Sequence, residues 1–207
     1  MTLLERFTSD NPESRFYSPF LAAGKNVATD GAILVATPPV MPDLKDRTKD
    51  VESIYPVKET LAIGKTYISD IDSCLASFPK VMKTDEEEIM CDACEGGGEV
   101  YWVFDYNGVV YEEESYCPVC MGQGFNYKVI ETGEMIYDKS KSISIHGFTI
   151  SAEMLNNLKF IADTLGEEHV NLYLDTEDRF LFAEVGEVEV AIARFNINDV
   201  YSKLNVV

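Results

Sequence analysis

Bulky and polar residues alternate through residues 99–116, EVYWVFDYNGVVYEEESY, on both sides of Asn107-Gly108. Alternation is the period of a strand, and Asn-Gly is the pair that best accepts the positive φ angles of a type I′ turn, so the pattern predicts a two-stranded β-hairpin. Upstream, KNVATDGAILVATPP carries two short apolar runs around Asp30-Gly31 and predicts a second hairpin. TYISDIDSCLASFPKV predicts a short helix carrying Ile68, Ile71, Leu75 and Phe78 inward, with Cys74 on it as a small buried hydrophobe. From Ser142, SISIHGF predicts a short alternating strand. In the following TISAEMLNNLKFIADTLG, Met154, Leu155, Leu158, Ile161, Ala162 and Leu165 share one helical face, with Ser151 as N-cap and Gly166 as C-cap. Three strands should follow: HVNLYLD with Val170, Leu172 and Leu174 on one face, RFLFAEV, and EVEVAIARF with Val188, Val190 and Ile192 on one face. The C-terminal segment therefore reads β-α-β-β-β.

Composition adds a boundary to this pattern. A chain of 207 residues that is 46% apolar has enough material for one large domain or two small ones. No window approaches eighteen uninterrupted apolar residues, and MTLLERFTSDNPESRF is acidic and polar where a signal peptide needs an apolar run; the expectation is a soluble, cytoplasmic protein with no membrane partner. Net charge is −19, and residues 85–137 hold thirteen acidic residues against the single Lys128, a local −12. This acidic island separates three segments: residues 1–84, an insertion at 85–137, and residues 138–207. An acidic surface of this kind is either a solvated face or one that meets a basic partner.

The island also carries the clearest chemistry. CDACEGGGEV at 91–100 and CPVCMGQGFN at 117–126 repeat one phrase, Cys-x-x-Cys-x-Gly-x-Gly. The hairpin between them brings its ends together, so Cys91, Cys94, Cys117 and Cys120 should meet in a C-x2-C-x22-C-x2-C arrangement. Two thiolates three residues apart can grip one ion if the chain curls tightly, and the glycines supply unhindered backbone for that curl. Four thiolates around Zn2+ make a closed structural site, one zinc per chain, with no open position for catalysis. The competing reading is a redox-active Cys-x-x-Cys, which would not require two glycine-matched copies.

The repeat resembles the cysteine-rich zinc domain of DnaJ-type chaperones over residues 91–124. The J domain is missing, because neither histidine, in His146-Gly147-Phe148 or His169-Val170-Asn171, stands in a His-Pro-Asp triplet. The flanks, about residues 15–80 and 140–200, resemble the DNA sliding clamp family: Ala28-Thr29-Asp30-Gly31 matches a turn of bacterial clamps, and the segment from Phe148 matches the last clamp unit. The usual methionine-proline ending is replaced by Phe195-Asn196-Ile197-Asn198. The resemblance implies an α+β fold: a sliding-clamp-like domain of two β-α-β-rich units with an inserted zinc-ribbon-like β-hairpin.

Clamps line their hole with basic helices that neutralise phosphates. Here the C-terminal helix offers Lys159 against Glu153 and Asp163, and the upstream helix offers Asp70 and Asp72 before Lys80. Strong direct nucleic-acid binding is therefore not expected. Lys25, Lys45, Arg47, Lys49, Lys58 and Lys65 cluster in sequence and read as scattered surface charges. There is no phosphate loop, the histidines have no recognisable partners, and Gly96-Gly97-Gly98 follows a cysteine pair and not a strand, so no enzyme is expected. Three readings remain. One is a non-enzymatic zinc-binding interaction protein on a clamp-like scaffold, an accessory of DNA replication or of a virus that manipulates it, whose protein partner has a basic surface. The second is an acidic decoy that mimics DNA. The third is a DnaJ-like zinc-dependent peptide binder, suggested by Tyr101, Trp102, Phe104 and Tyr106.

Overall fold

The structure, a computed structural model, describes residues 2–55, 60–177, 179–197 and 199–207. It divides into two units, one formed by residues up to Pro79 together with Tyr137–Val207, the other by Lys80–Ile136. The first stretch holds a 3-10 turn at Leu4–Phe7, β1 (Phe20–Ala22), β2 (Lys25–Thr29), β3 (Ile33–Thr37), the single-turn α1 (Thr48–Val51), β4 (Thr60–Tyr67) and α2 (Ile68–Ser77). Next come β5 (Lys80–Met90), β6 (Glu99–Tyr106), β7 (Val109–Tyr116) and β8 (Phe125–Tyr137). The chain continues with β9 (Ser142–Ile145), β10 (Phe148–Ile150), α3 (Ala152–Leu165), β11 (His169–Asp175), β12 (Phe180–Val185), β13 (Val188–Ala193) and β14 (Val200–Lys203). Both helices and strands are present, but strands dominate the α+β expectation.

In the first unit a seven-stranded sheet runs β1-β2-β3-β13-β12-β11-β4, beside a three-stranded sheet β10-β9-β14. Val35 of β3 pairs with Val190 of β13, and Thr66 of β4 with Val170 of β11. Strands from before and after the cysteine-bearing segment therefore share one sheet. β3 is buried at all five positions because both faces of the sheet are covered. On one face Ile33 and Val35 join Leu75 of α2, Leu155, Leu158 and Ile161 of α3, and Phe148; on the other, Leu34 and Ala36 join Phe20, Val51 and Tyr55.

Local chemistry explains the helix ends. Ser151 Oγ accepts the Met154 N–H at 3.2 Å, and Gly166 closes α3 in the left-handed conformation at φ 73°. Ile71, Leu75 and Phe78 are buried as expected, and Cys74 lies at 9% exposure with its Sγ 3.2 Å from Ser202 Oγ. The expected α3 face is shorter than its periodicity indicates, since Leu165 in the last turn is 42% exposed.

One predicted strand is two. SISIHGFTI folds as the β9–β10 hairpin with Ile145 opposite Phe148. His146 and Gly147 form the two-residue turn with φ of 50° and 85°. The buried positions change parity across that turn, from Ile143 and Ile145 to Phe148 and Ile150. The expected Asp30-Gly31 hairpin is present as β2–β3, with Thr29 opposite Leu34. Its connection is longer than two residues, and Asp30 Oδ1 accepts the N–H groups of Ala32 and Ile33 at 2.8 and 2.9 Å.

Of the clustered basic residues, Lys25 bridges to Glu189 at 2.6 Å, Arg47 to Asp50 at 3.2 Å, and the Lys65 ammonium stands 5.0 Å from the Tyr67 ring centre. Lys58 and Asn198 lie outside the described residues. Lys159 reaches Asp72 of α2 at 3.4 Å and Asp163 at 2.5 Å, so the one lysine of α3 is matched by two carboxylates. Among the described residues no helix is long and apolar enough to cross a membrane.

Candidate metal centre

The second unit has almost no apolar interior. Its buried cluster consists of Cys91, Cys117 and Cys120, with Cys94 and Val100 packed against it. Around that cluster β6 and β7 pair from Glu99↔Tyr116 to Tyr106↔Val109, closed by Asn107 and Gly108 at φ 55° and 79°. This is the type I′ hairpin that the alternation and the Asn-Gly pair specify. β5 and β8 pair as a second ribbon on the opposite side in sequence. Both Cys-x-x-Cys loops thus join one ribbon to the other, Cys91 and Cys94 between β5 and β6, Cys117 and Cys120 between β7 and β8.

The four cysteine sulfurs lie within 4.8 Å of one another, and among the described residues this is the one group of three or more His, Cys, Asp or Glu so placed. Cys91 Sγ stands 3.8 Å from Cys117 Sγ, and Cys94 Sγ 3.7 Å from Cys120 Sγ. Sulfurs about 2.3 Å from a common ion at tetrahedral corners stand about 3.8 Å apart, the spacing of these two pairs. It is too long for a disulfide, whose sulfurs sit about 2.05 Å apart. The donor set, four soft sulfurs with no carboxylate or imidazole among them, fits zinc.

The two copies of the repeat are related residue by residue. Cys91 N–H donates to Gly124 O at 2.9 Å while Cys117 N–H donates to Gly98 O at 2.8 Å. Within each copy, Gly96 N–H donates to Cys91 O and Gly122 N–H to Cys117 O, both at 3.2 Å. Gly98 N–H points at Cys94 Sγ at 3.3 Å, and Gly124 N–H at Cys120 Sγ at 3.2 Å. These N–H···S contacts support negative charge on sulfur and orient the ligand, as the outer groups of metal sites do. Among the four thiols, burial pushes Cys94 up to about 11, against the Gly98 N–H. For Cys120 burial acts in the same direction, but the Gly124 N–H and the neighbouring thiols outweigh it and bring the group down to about 7.

The glycine offsets have a steric cause beyond chain curl. A Cβ on Gly98 would stand 2.5 Å from Gly122 O, and a Cβ on Gly124 would stand 2.5 Å from Gly96 O. Both residues also hold positive φ, 78° and 82°. Each copy's last glycine therefore lets the other copy's backbone approach, a reciprocal contact that the repeat encodes but spacing alone does not reveal. The structure brings together all four cysteines singled out from the sequence and leaves the fifth, Cys74, in the other unit. Neither histidine joins the group.

Fold and site together define a sheet-rich unit whose sequence is interrupted by a second, acidic unit with four cysteines placed so that they could hold a metal ion. No protein-family model matches the chain, and no curated protein matches it. Among solved structures it is similar to the DNA polymerase III subunit beta from Pseudomonas aeruginosa, at 10% identity and a TM-score of 0.43 over 93% of this chain and 63% of that one. It is also similar to a putative DNA polymerase III beta subunit from Eubacterium rectale ATCC 33656, at 11% identity and a TM-score of 0.44 over 94% of this chain and 61% of that one. The chain thus spans less than two thirds of the length of either protein.

Proposed function

We propose that the protein is a non-enzymatic interaction module in which a structural zinc ion, held by Cys91, Cys94, Cys117 and Cys120, rigidifies an acidic arm that binds another protein. The single observation that carries this reading is the packing of four sulfurs within 4.8 Å in a unit whose buried cluster is Cys91, Cys117 and Cys120, with Cys94 and Val100 packed against it. A four-thiolate shell is complete, so the ion would supply folding free energy and no open position for a reacting group. Its role is to fix the two knuckles and the strands that leave them. The body is read as a clamp-like scaffold on the strength of its Ala28-Gly31 turn and its succession of strands around α2 and α3. A place as an accessory in DNA replication, cellular or viral, goes with that scaffold.

The partner should carry a basic surface, since Lys80–Ile136 holds thirteen acidic residues against three lysines. Affinity capture from nuclease-treated lysate by the intact protein and by Cys91→Ser tests the module. A protein retained by the parent and lost with the variant supports zinc-dependent recognition; identical retention by both would place binding outside the arm. The acidic decoy is a second reading of the same surface, favoured by the −12 over residues 85–137. It requires that the captured partner be a nucleic-acid-binding protein and that DNA compete with the arm.

A further inference from the structure

The β6–β7 hairpin is two-faced, and neither face is covered. Strand alternation and the Trp102↔Glu113 and Phe104↔Tyr111 pairs put Trp102, Phe104, Tyr106, Val109 and Tyr111 on one side, with Glu113 the only acid there. The other side interleaves Tyr101, Val103, Val110 and Tyr116 with four acids, Glu99, Asp105, Glu112 and Glu114, so the Trp102 side is the one whose apolar residues run nearly unbroken by charge. Trp102, Phe104, Tyr106 and Tyr111 are 56%, 62%, 60% and 56% exposed. Their rings alone leave on the order of 500 Å² of aromatic surface in water, at the upper end of what a soluble monomer exposes as one patch. The face is ordered by its own contacts: Phe104 and Tyr106 stack at 6.3 Å between ring centres, and Trp102 Nε1 donates to Ser115 Oγ at 2.8 Å.

We infer that this aromatic face is the docking surface of the arm and that its occupant is a protein presenting an apolar strip flanked by lysine or arginine. This rests on the reading of the arm as a protein-binding module and adds which face does the binding and what chemistry it meets. Charge decides among the surfaces that aromatic rings can cover. Single-stranded nucleic acid stacks on such rings only within a basic groove, and residues 99–116 contain no lysine or arginine. An anionic lipid surface is repelled for the same reason. A second copy would set Glu113 against its twin and bring together two segments that each carry thirteen acidic residues against one lysine over residues 85–137. A basic-flanked apolar strip buries the rings and places cations beside Glu113, in the negative field of residues 85–137.

Trp102 is the only tryptophan in the chain, so its fluorescence reports on this face alone. The probe is a synthetic amphipathic helix with a leucine stripe bordered by lysines, titrated into the full protein with zinc content measured on the same sample. The lysine helix should shift Trp102 emission to the blue, and its glutamate-bordered counterpart should not. Phe104→Ala with Tyr106→Ala should weaken the lysine helix by about tenfold or more, as loss of two aromatic anchors does. Tyr101→Ala with Val103→Ala, on the opposite face, should change it by less than about twofold, with zinc retained in both variants. The inference is overturned if zinc-loaded protein gives no shift, or if both double variants lose affinity equally. It is overturned too if oligothymidylate or phosphatidylserine vesicles give the larger shift, or if sedimentation shows self-association that Phe104→Ala with Tyr106→Ala abolishes. Protein that arrives without zinc contradicts the zinc module itself, and a blue shift in that sample would still support the docking face.

Discussion

Gly98 and Gly124 are the residues on which the arm's geometry turns. Each holds positive φ, donates its N–H to a cysteine sulfur and lies where a Cβ would meet the opposite knuckle at 2.5 Å. Gly98→Ala and Gly124→Ala are therefore expected to lower zinc affinity on the order of tenfold to a hundredfold, the range for groups that support metal ligands, as read by competition with a chelating dye. Gly97→Gln is the matched control: Gln123 already occupies the equivalent place in the second copy, so affinity should stay within about twofold. In the body, Leu158 is fully buried beneath the sheet, and Leu158→Ala should cost about 2–5 kcal/mol in urea denaturation. Ser151→Ala removes the α3 cap and should cost about 1 kcal/mol.

At the scale of elements, what could be read in the sequence follows from what each element buries and how it turns. α3 was legible because its apolar spacing, Ser151 and Gly166 agree, and β6–β7 because Asn107-Gly108 specifies the turn. The β9–β10 turn is harder to see because His146-Gly147 is a weaker turn signal, although the parity change between Ile145 and Phe148 marks it. β5 and β8 leave little pattern in the sequence. β5 contains TDEEE and exposes nearly every position, so it has no hydrophobic period, and only its pairing with β8 makes it a strand. The cysteine cluster was legible through its repeat, yet the reciprocal glycine contact was not, because steric approach between two knuckles leaves no trace in spacing. Two-stranded ribbons are marginal without further support. Cys91→Ser is accordingly expected to let the β6–β7 amides exchange with solvent while those of β3, β12 and β13 stay protected, a contrast that hydrogen exchange resolves. Uniform loss of protection in both units would contradict a local role for the cysteines.

For the molecule as a whole, charge separates the readings. Lys159 is matched by Asp72 and Asp163, Lys25 by Glu189 and Arg47 by Asp50, and the chain carries a net −19, so little gain from counterion release on phosphate is expected. Mobility-shift titration with duplex DNA at physiological salt should show no appreciable binding; tight binding that falls steeply with salt would reveal a basic patch and favour a direct clamp role. The central claim is that the chain holds one structural zinc in a closed four-cysteine shell, and elemental analysis of purified protein with parallel thiol titration tests it most directly. One zinc per chain is predicted, with Cys91, Cys94, Cys117 and Cys120 unreactive until a chelator is added. Protein without metal, in which those four thiols react freely under native conditions, would contradict it.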